Sequence, residues 1–350
     1  MTQVKTLLRE TPFDPAFLPG ARNAIANCLR IQPREKVTLI TDHACLEIGA
    51  ALGAELERLS LNYRAFVLED LSPRPLENMP GEVLADMETS DVSIFAVRAQ
   101  ANELRTRMQM TDIVNRRKMR HAHMVNIDRR IMLEGMLADF DEVDRISTLV
   151  WQMASTAREI RATNPAGTEI VGRFSPLLKW IKTSGIISPN KWGNLPGGET
   201  FTTPERVDGR FVIDGVVGDY LCEKYGDLGA NPLTIEVVES RLREAHCANQ
   251  ELEAEFWRYC HTDENSDRVG EFAIGTNISV HDVIGNILQD EKIPGIHIAF
   301  GNPYGAHTGA DWYSATHIDV VGRNFDIWID GRQIMRGGAF LLDSLPSPAL

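Results

Sequence analysis

The sequence has no run of 18 apolar residues, so no membrane-spanning helix is expected. It has no CxxC pair. Its five cysteines, Cys28, Cys45, Cys222, Cys247 and Cys260, are scattered and odd in number. That pattern argues against a disulfide framework and a thiolate zinc site, and it suits reduced thiols. Basic charge is not in excess: the net charge is −13, which speaks against a nucleic-acid partner. The opening stretch MTQVKTLLRETPFDP carries acidic residues and proline where a signal peptide needs an apolar core. A cytoplasmic location is therefore expected. The Gly-rich stretches GDLGA and GNPYGAHTGA fit neither a P-loop nor a strand–GxGxxG–helix setting, and both read as plain loops. No HExxH is present.

What is present is a soluble, globular composition, 43% hydrophobic and 24% charged. At 350 residues the chain is too long for one ordinary core, and two domains are expected. The first part alternates. KVTLITD (36–42), YRAFVLED (63–70), DVSIFAV (91–97) and HMVNID (123–128) read as strands, with helical spacing over 44–60 and 83–90. Strand, helix, strand repeated predicts a parallel sheet covered by helices. A helix is predicted over 141–163, stopped by Asn164-Pro165. This sets an α/β domain at 1–163 and a β-rich α+β domain at 164–350. The second has short β runs between Gly, Pro and Asp-Gly. Its VDGRF (207–211) is a hairpin signal, and PLTIEVVESRLREA (232–245) reads as strand and helix.

The second part also scatters carboxylates and imidazoles at turn-like positions. Glu199 sits in LPGGETFTTP, Glu271 in VGEFAIGTN, and Glu291 in LQDEKIPGIHI, six residues before His297. His317 and Asp319 form THID. In a strand, residues two apart share a face, so these two can grip one ion. Each residue alone has a plainer reading. Glu199 reads as a turn residue, Glu291 with Lys292 as a solvated pair, and His297 as a hydrogen-bonded core histidine. His307 and His281 read as loop or surface residues. The ordered set carries the argument.

That set resembles the aminopeptidase T family of metallopeptidases. The family pattern NLPGGE-F-TP, -GE-AIGTN, -DEK--G--HIA-G and H-D is met here by NLPGGETFTTP, GEFAIGTN, QDEKIPGIHIAFG and HID. The resemblance is strongest over 190–322. It implies metal ligands at Glu199, Glu271, Glu291, His297, His317 and Asp319. It implies a catalytic role for Glu271 and for Tyr304, seven residues after His297, with Tyr313 a second candidate nearby. It also implies a homodimer that hydrolyses N-terminal peptide bonds, or small aminoacyl amides, through a hydroxide activated by two divalent ions. Four carboxylates and two neutral imidazoles are consistent with two such ions. Hard O/N ligands without Cys suit Zn, Co, Mn or Mg. The expected partner is a peptide or other small molecule, not a nucleic acid or a membrane.

Two other readings stay open. The scaffold also resembles mononuclear Fe(II) dioxygenases that open hydroxypyridine rings. Those keep His-x-Asp but place a His at the position of Glu271 and an apolar residue at that of Glu199. A metal-stabilised binding protein is the third reading. The Gly-rich loops around the ligands speak against it, because structural sites are closed.

Overall fold

The structure, a computed structural model, describes residues 7–100 and 102–345. The first six residues of the N-terminal stretch discussed above lie outside the described residues. The chain forms two compact units. One is Met1–Asp141 with Gly185–Gly197, and the other is Glu142–Ser184 with Gly198–Leu350.

The first unit is built on a parallel sheet. β1 (Lys36–Thr41), β2 (Asn62–Val67), β3 (Val92–Val97) and β4 (Arg120–Val125) lie in the order β2-β1-β3-β4, and Gly193–Asn194 adds to the free edge of β4. All four pair in parallel, and every residue of β3 is buried. Apolar runs without alternation are what a sheet covered on both faces requires. Helices Leu46–Arg58, Gly81–Met87 and Leu104–Arg117 make the crossovers. The fourth strand starts three residues before the predicted 123.

The second unit holds two antiparallel sheets. The larger has eight strands in the order Arg241–His246, Leu233–Val238, Arg206–Ile213, Glu169–Arg173, Glu159–Thr163, Asp326–Ile329, Arg332–Arg336, Ala339–Phe340. The smaller has five. These are β5 (Ile181–Thr183), β6 (Glu199–Thr202), β7 (Val269–Gly275), β8 (Gly295–Gly301) and β9 (His317–Val321), in the order β9-β8-β7-β6-β5. One core serves both sheets. It takes Ile160, Ile170, Phe211 and Ile235 from the larger sheet and Phe272, Ile274, Ile296, Ile298, Phe300, Ile318 and Val320 from the smaller.

Four expectations are corrected. The helix predicted over 141–163 spans Phe140–Ala154 and delivers Ile146, Leu149, Val150 and Ala154 to the second unit's core. Glu159–Thr163 is a strand, because only Ile160 and Ala162 are buried in alternation with exposed Glu159 and Arg161. The unit boundary accordingly falls at 141/142 rather than near 163. VDGRF is not a hairpin. It lies inside the single strand Arg206–Ile213, where a Cβ on Gly209 would meet Glu169 O at 2.2 Å. The hairpin is in PLTIEVVESRLREA, read above as strand and helix. Leu233–Val238 and Arg241–His246 join at Glu239-Ser240, whose φ values of 52° and 62° match a primed turn.

Candidate metal centre

The small sheet sorts its residues by face. The side directed into the core is apolar throughout β7, β8 and β9. Register fixes what the opposite side carries. Glu199 pairs with Gly275, Glu271 with Ala299, Ala299 with Asp319, Ala273 with His297, and Gly301 with His317. Directly paired residues share a face, so Glu199, Glu271, His297, His317 and Asp319 all project to one side. Along β7 and β8 the other positions on this face, Ala273, Gly275, Ala299 and Gly301, are small and leave room among the charged groups. Glu291 joins from the C-terminal end of the short helix Ile287–Asp290.

The placement of Glu271 depends on a bulge. β7 pairs Val269 with Phe300 and Glu271 with Ala299, so Gly270 is an extra residue in the ladder. Strict alternation would put Val269 and Glu271 on the same face. The bulge sends Val269 into the core and Glu271 to the side that carries the other charged residues. A Cβ on residue 270 would lie 2.2 Å from Gly301 O, so the bulge needs glycine.

The six residues named from sequence come together. Their ligand atoms form three overlapping groups: Glu199, Glu271 and His297; Glu271, His317 and Asp319; and Glu291, His297 and Asp319. Within each group the atoms lie within 4.8 Å of one another. His297 Nε2 is 3.4 Å from Glu271 Oε1 and 3.5 Å from Glu199 Oε2. His317 Nε2 is 3.6 Å from Glu271 Oε2 and 3.4 Å from Asp319 Oδ1. His297 Nε2 is fully buried yet makes no hydrogen bond. An orphaned buried nitrogen facing carboxylates fits a cation between them. His317 Nδ1 lies 3.0 Å from Asn302 O, so donation there fixes the ring and turns Nε2 toward the cluster.

The electrostatics agree with a shared cation. Burial alone would lower His317, but Asp319 and Glu271 lift it to about 10. Burial pushes Glu291 up to about 8, against the pull of Lys292 and helped by the charges of Asp319 and Glu199. Burial would also raise Glu199 and Asp319, yet both are held below their usual range. Lys292 and His297 do this for Glu199, and His317 and His297 for Asp319.

The sequence pattern of the thermophilic metalloprotease (M29) family matches residues 143–327, more than half of the chain and all of this cluster. The chain belongs to that family. This makes it a metal-dependent hydrolase, a metallo-aminopeptidase by class. No curated protein matches its sequence. Solved structures of two proteins illustrate the shared fold. Wild-type AmpT from Thermus thermophilus matches with a TM-score of 0.67 at 16% identity, over 94% of this chain and 100% of its own. A 2,5-dihydroxypyridine dioxygenase from Pseudomonas putida KT2440 matches with a TM-score of 0.67 at 14% identity, over 94% and 98%. The equal scores make the fold common to both, so only the residues in the site separate the two chemistries.

In this M29 metalloprotease, Tyr304 lies at the site's edge. Its ring centroid is 4.5 Å from that of His317, and its φ of 49° is a left-handed conformation rare for such a residue. Tyr313 is 71% exposed and shows no ring contact with a ligand. His307, on the short helix Gly305–Thr308, and His281 are exposed and belong to none of the three groups. The residue that sequence reading missed is Lys292. It is not a solvated partner of Glu291 but is 1% exposed, with Nζ 2.7 Å from Glu199 Oε1 and 2.5 Å from Glu291 Oε1. Thr183 Oγ1 donates to the same Glu199 oxygen at 2.8 Å. Both hold one side of Glu199 and leave Oε2 facing His297. The available signal was its place immediately before IPGIHIAF (293–300), the mostly apolar run that enters β8.

No helix among the described residues is long and apolar enough to cross a membrane.

Proposed function

We propose that this metallopeptidase removes N-terminal residues from peptides, or hydrolyses small aminoacyl amides. Two divalent ions, drawn from Zn, Co, Mn or Mg, would be held by Glu199, Glu271, Glu291, His297, His317 and Asp319. The observation that carries the reading is the unpartnered, buried His297 Nε2 amid overlapping groups that share Glu271, His297 and Asp319. Glu271 lies between both imidazoles and is the carboxylate suited to serve two ions at once. The charge count supports this. Once metal uptake has stripped the protons from Glu291 and His317, four carboxylates and one lysine leave −3, too much for a single divalent cation to neutralise.

When bound, such ions supply Lewis acidity that polarises the scissile carbonyl and lets water ionise near neutral pH. The chain's own residues do the rest. The carboxylate-rich face draws in the free α-ammonium of a substrate. Tyr304, at the edge beside His317, donates to the oxygen that gains charge during attack. Lys292 keeps Glu199 and Glu291 from turning away. We also propose a cytoplasmic homodimer.

A three-ligand Fe(II) site for ring opening has no use for Glu199 and Glu271 together. The test follows from that difference. Chelated protein given Zn²⁺, Co²⁺ or Mn²⁺ under strict anaerobiosis is expected to recover aminoacyl-amide hydrolysis. Glu199→Ala and Glu271→Ala should each cost on the order of 10²-fold in rate. Turnover only with Fe(II) and O₂ on a hydroxylated aromatic ring, with amides untouched, would reverse the conclusion.

A further inference from the structure

Arg268 precedes β7 by one residue. Gly301 N donates to its carbonyl at 2.8 Å, and Gly301 is paired with His317. Val269 points into the core, so alternation places Arg268 on the ligand-bearing face. Two strand spacings separate its backbone from that of His317, about 10 Å. The guanidinium lies over Trp312, with Cζ 4.4 Å from the ring centroid. The loop that carries Trp312 is pinned in place. Asp263 accepts from Ala315 N at 2.7 Å and from Ser314 Oγ at 3.0 Å, and Asn265 Nδ2 donates to Tyr313 O at 3.0 Å.

Among the described residues, the Arg268 side chain makes no hydrogen bond or ion pair. Its neighbour Arg241 is joined to Asp267, so that carboxylate is taken. Asp311 attracts Arg268 from beyond ion-pair distance, and it is exposed. Burial and the Arg241 charge hold the Arg268 pKa below its ordinary value. A half-buried, stacked guanidinium without an anion is an anion-binding group in waiting.

We infer that Arg268, braced by Trp312, is a subsite for the free carboxylate of short peptide substrates, which makes di- and tripeptides the preferred class. The inference rests on the aminopeptidase reading. Residues beyond the scissile bond advance about 3.5 Å each, and a long arginine side chain covers the remaining gap. A blocked or long peptide offers no carboxylate there.

The test compares leucylglycine with leucylglycinamide, which differ only in that carboxylate. The metal-loaded wild-type protein should favour the free acid about 10-fold in kcat/KM, chiefly through KM. Arg268→Gln should bring the acid-to-amide ratio near one. Arg268→Lys, which keeps the charge but loses the fork and the stacking, should fall between. An acid-to-amide ratio that Arg268→Gln leaves at its wild-type value would overturn the subsite. If Arg268→Gln does not fold, a wild-type ratio in Arg268→Lys overturns it instead. Cleavage of neither compound by the wild type would overturn the aminopeptidase reading, and the subsite with it.

Discussion

Replacing Lys292 by Met tests how the carboxylates are held. The side chain of Lys292 is 2% exposed, and its Nζ contacts Glu199 and Glu291, whose side chains are 9% and 13% exposed. Met keeps the length and removes the charge. Two buried carboxylates then face each other without their cation. Losing one partner of a buried ion pair costs about 3–5 kcal/mol. For a unit of this size each kcal/mol lowers the melting temperature by about 2–4 °C. The chelated Lys292→Met protein should therefore melt about 6–20 °C below the chelated wild type. The sign with pH follows from the carboxylates. Burial already lifts Glu291 to about 8, and losing Lys292 raises it further and lifts Glu199 from its lowered value. A carboxyl whose folded pKa is raised destabilises once pH climbs through that value, so the deficit should widen toward pH 9 and shrink toward pH 5. Saturating Zn²⁺ should raise both melting temperatures, the wild type's by more, because ions bound only by the folded state stabilise that state and the variant binds them more weakly. Differential scanning calorimetry at three pH values, with and without metal, reads all of this. A chelated variant melting within about 2 °C of the wild type would refute the ion-pair argument.

Other expectations follow from the same geometry. Metal uptake should release protons, because Glu291 and His317, at about 8 and about 10, must give theirs up. Titration calorimetry in buffers of different ionisation enthalpy should show this, with affinity rising from pH 6 to pH 9; uptake without proton release would contradict it. Gly270→Ala should lose metal and about 1–3 kcal/mol of stability, since its Cβ would press on Gly301 O. A variant with normal metal content would show that the bulge tolerates a side chain. Thr183→Val removes the second donor to Glu199 Oε1 and should weaken metal binding less than Lys292→Met. The reverse order, by metal analysis after dialysis, would mean Thr183 rather than Lys292 sets that carboxylate.

Much of the fold was legible because the parallel sheet speaks in unbroken apolar runs. KVTLIT and VSIFAV are short, β-branched and flanked by helical spacing, and both emerged as β1 and β3. The antiparallel unit was harder. Glu159–Thr163 follows a true helix after four residues and continues its mixed polarity, so only the buried alternation of Ile160 and Ala162 separates strand from helix. Asp208-Gly209 carries hairpin chemistry, yet its glycine serves a close approach to Glu169 within a strand. The turn that does reverse the chain, Glu239-Ser240, has no glycine or asparagine to announce it.

That these six residues come together was legible because their motifs were recognisable in order, and for a physical reason too. On the two central strands the positions beside Glu271 and His297 on this face are Ala and Gly, which gives GEFAIG and HIAFG their shared texture of charged, small and apolar residues. Two features could not be read this way. Lys292 looked like half of a surface pair, because sequence adjacency to Glu291 hides its longer-range contact with Glu199 from a different strand. The bulge at Gly270 was equally hidden. Counting by two along VGEFAIG puts Val269 and Glu271 together, on whichever face the sheet gives them. Only the pairing with β8 shows that they part. The one-residue slip reconciles an apolar anchor with a charged residue of the cluster two positions on, so the arrangement of the cluster rests on a glycine that carries no chemistry itself.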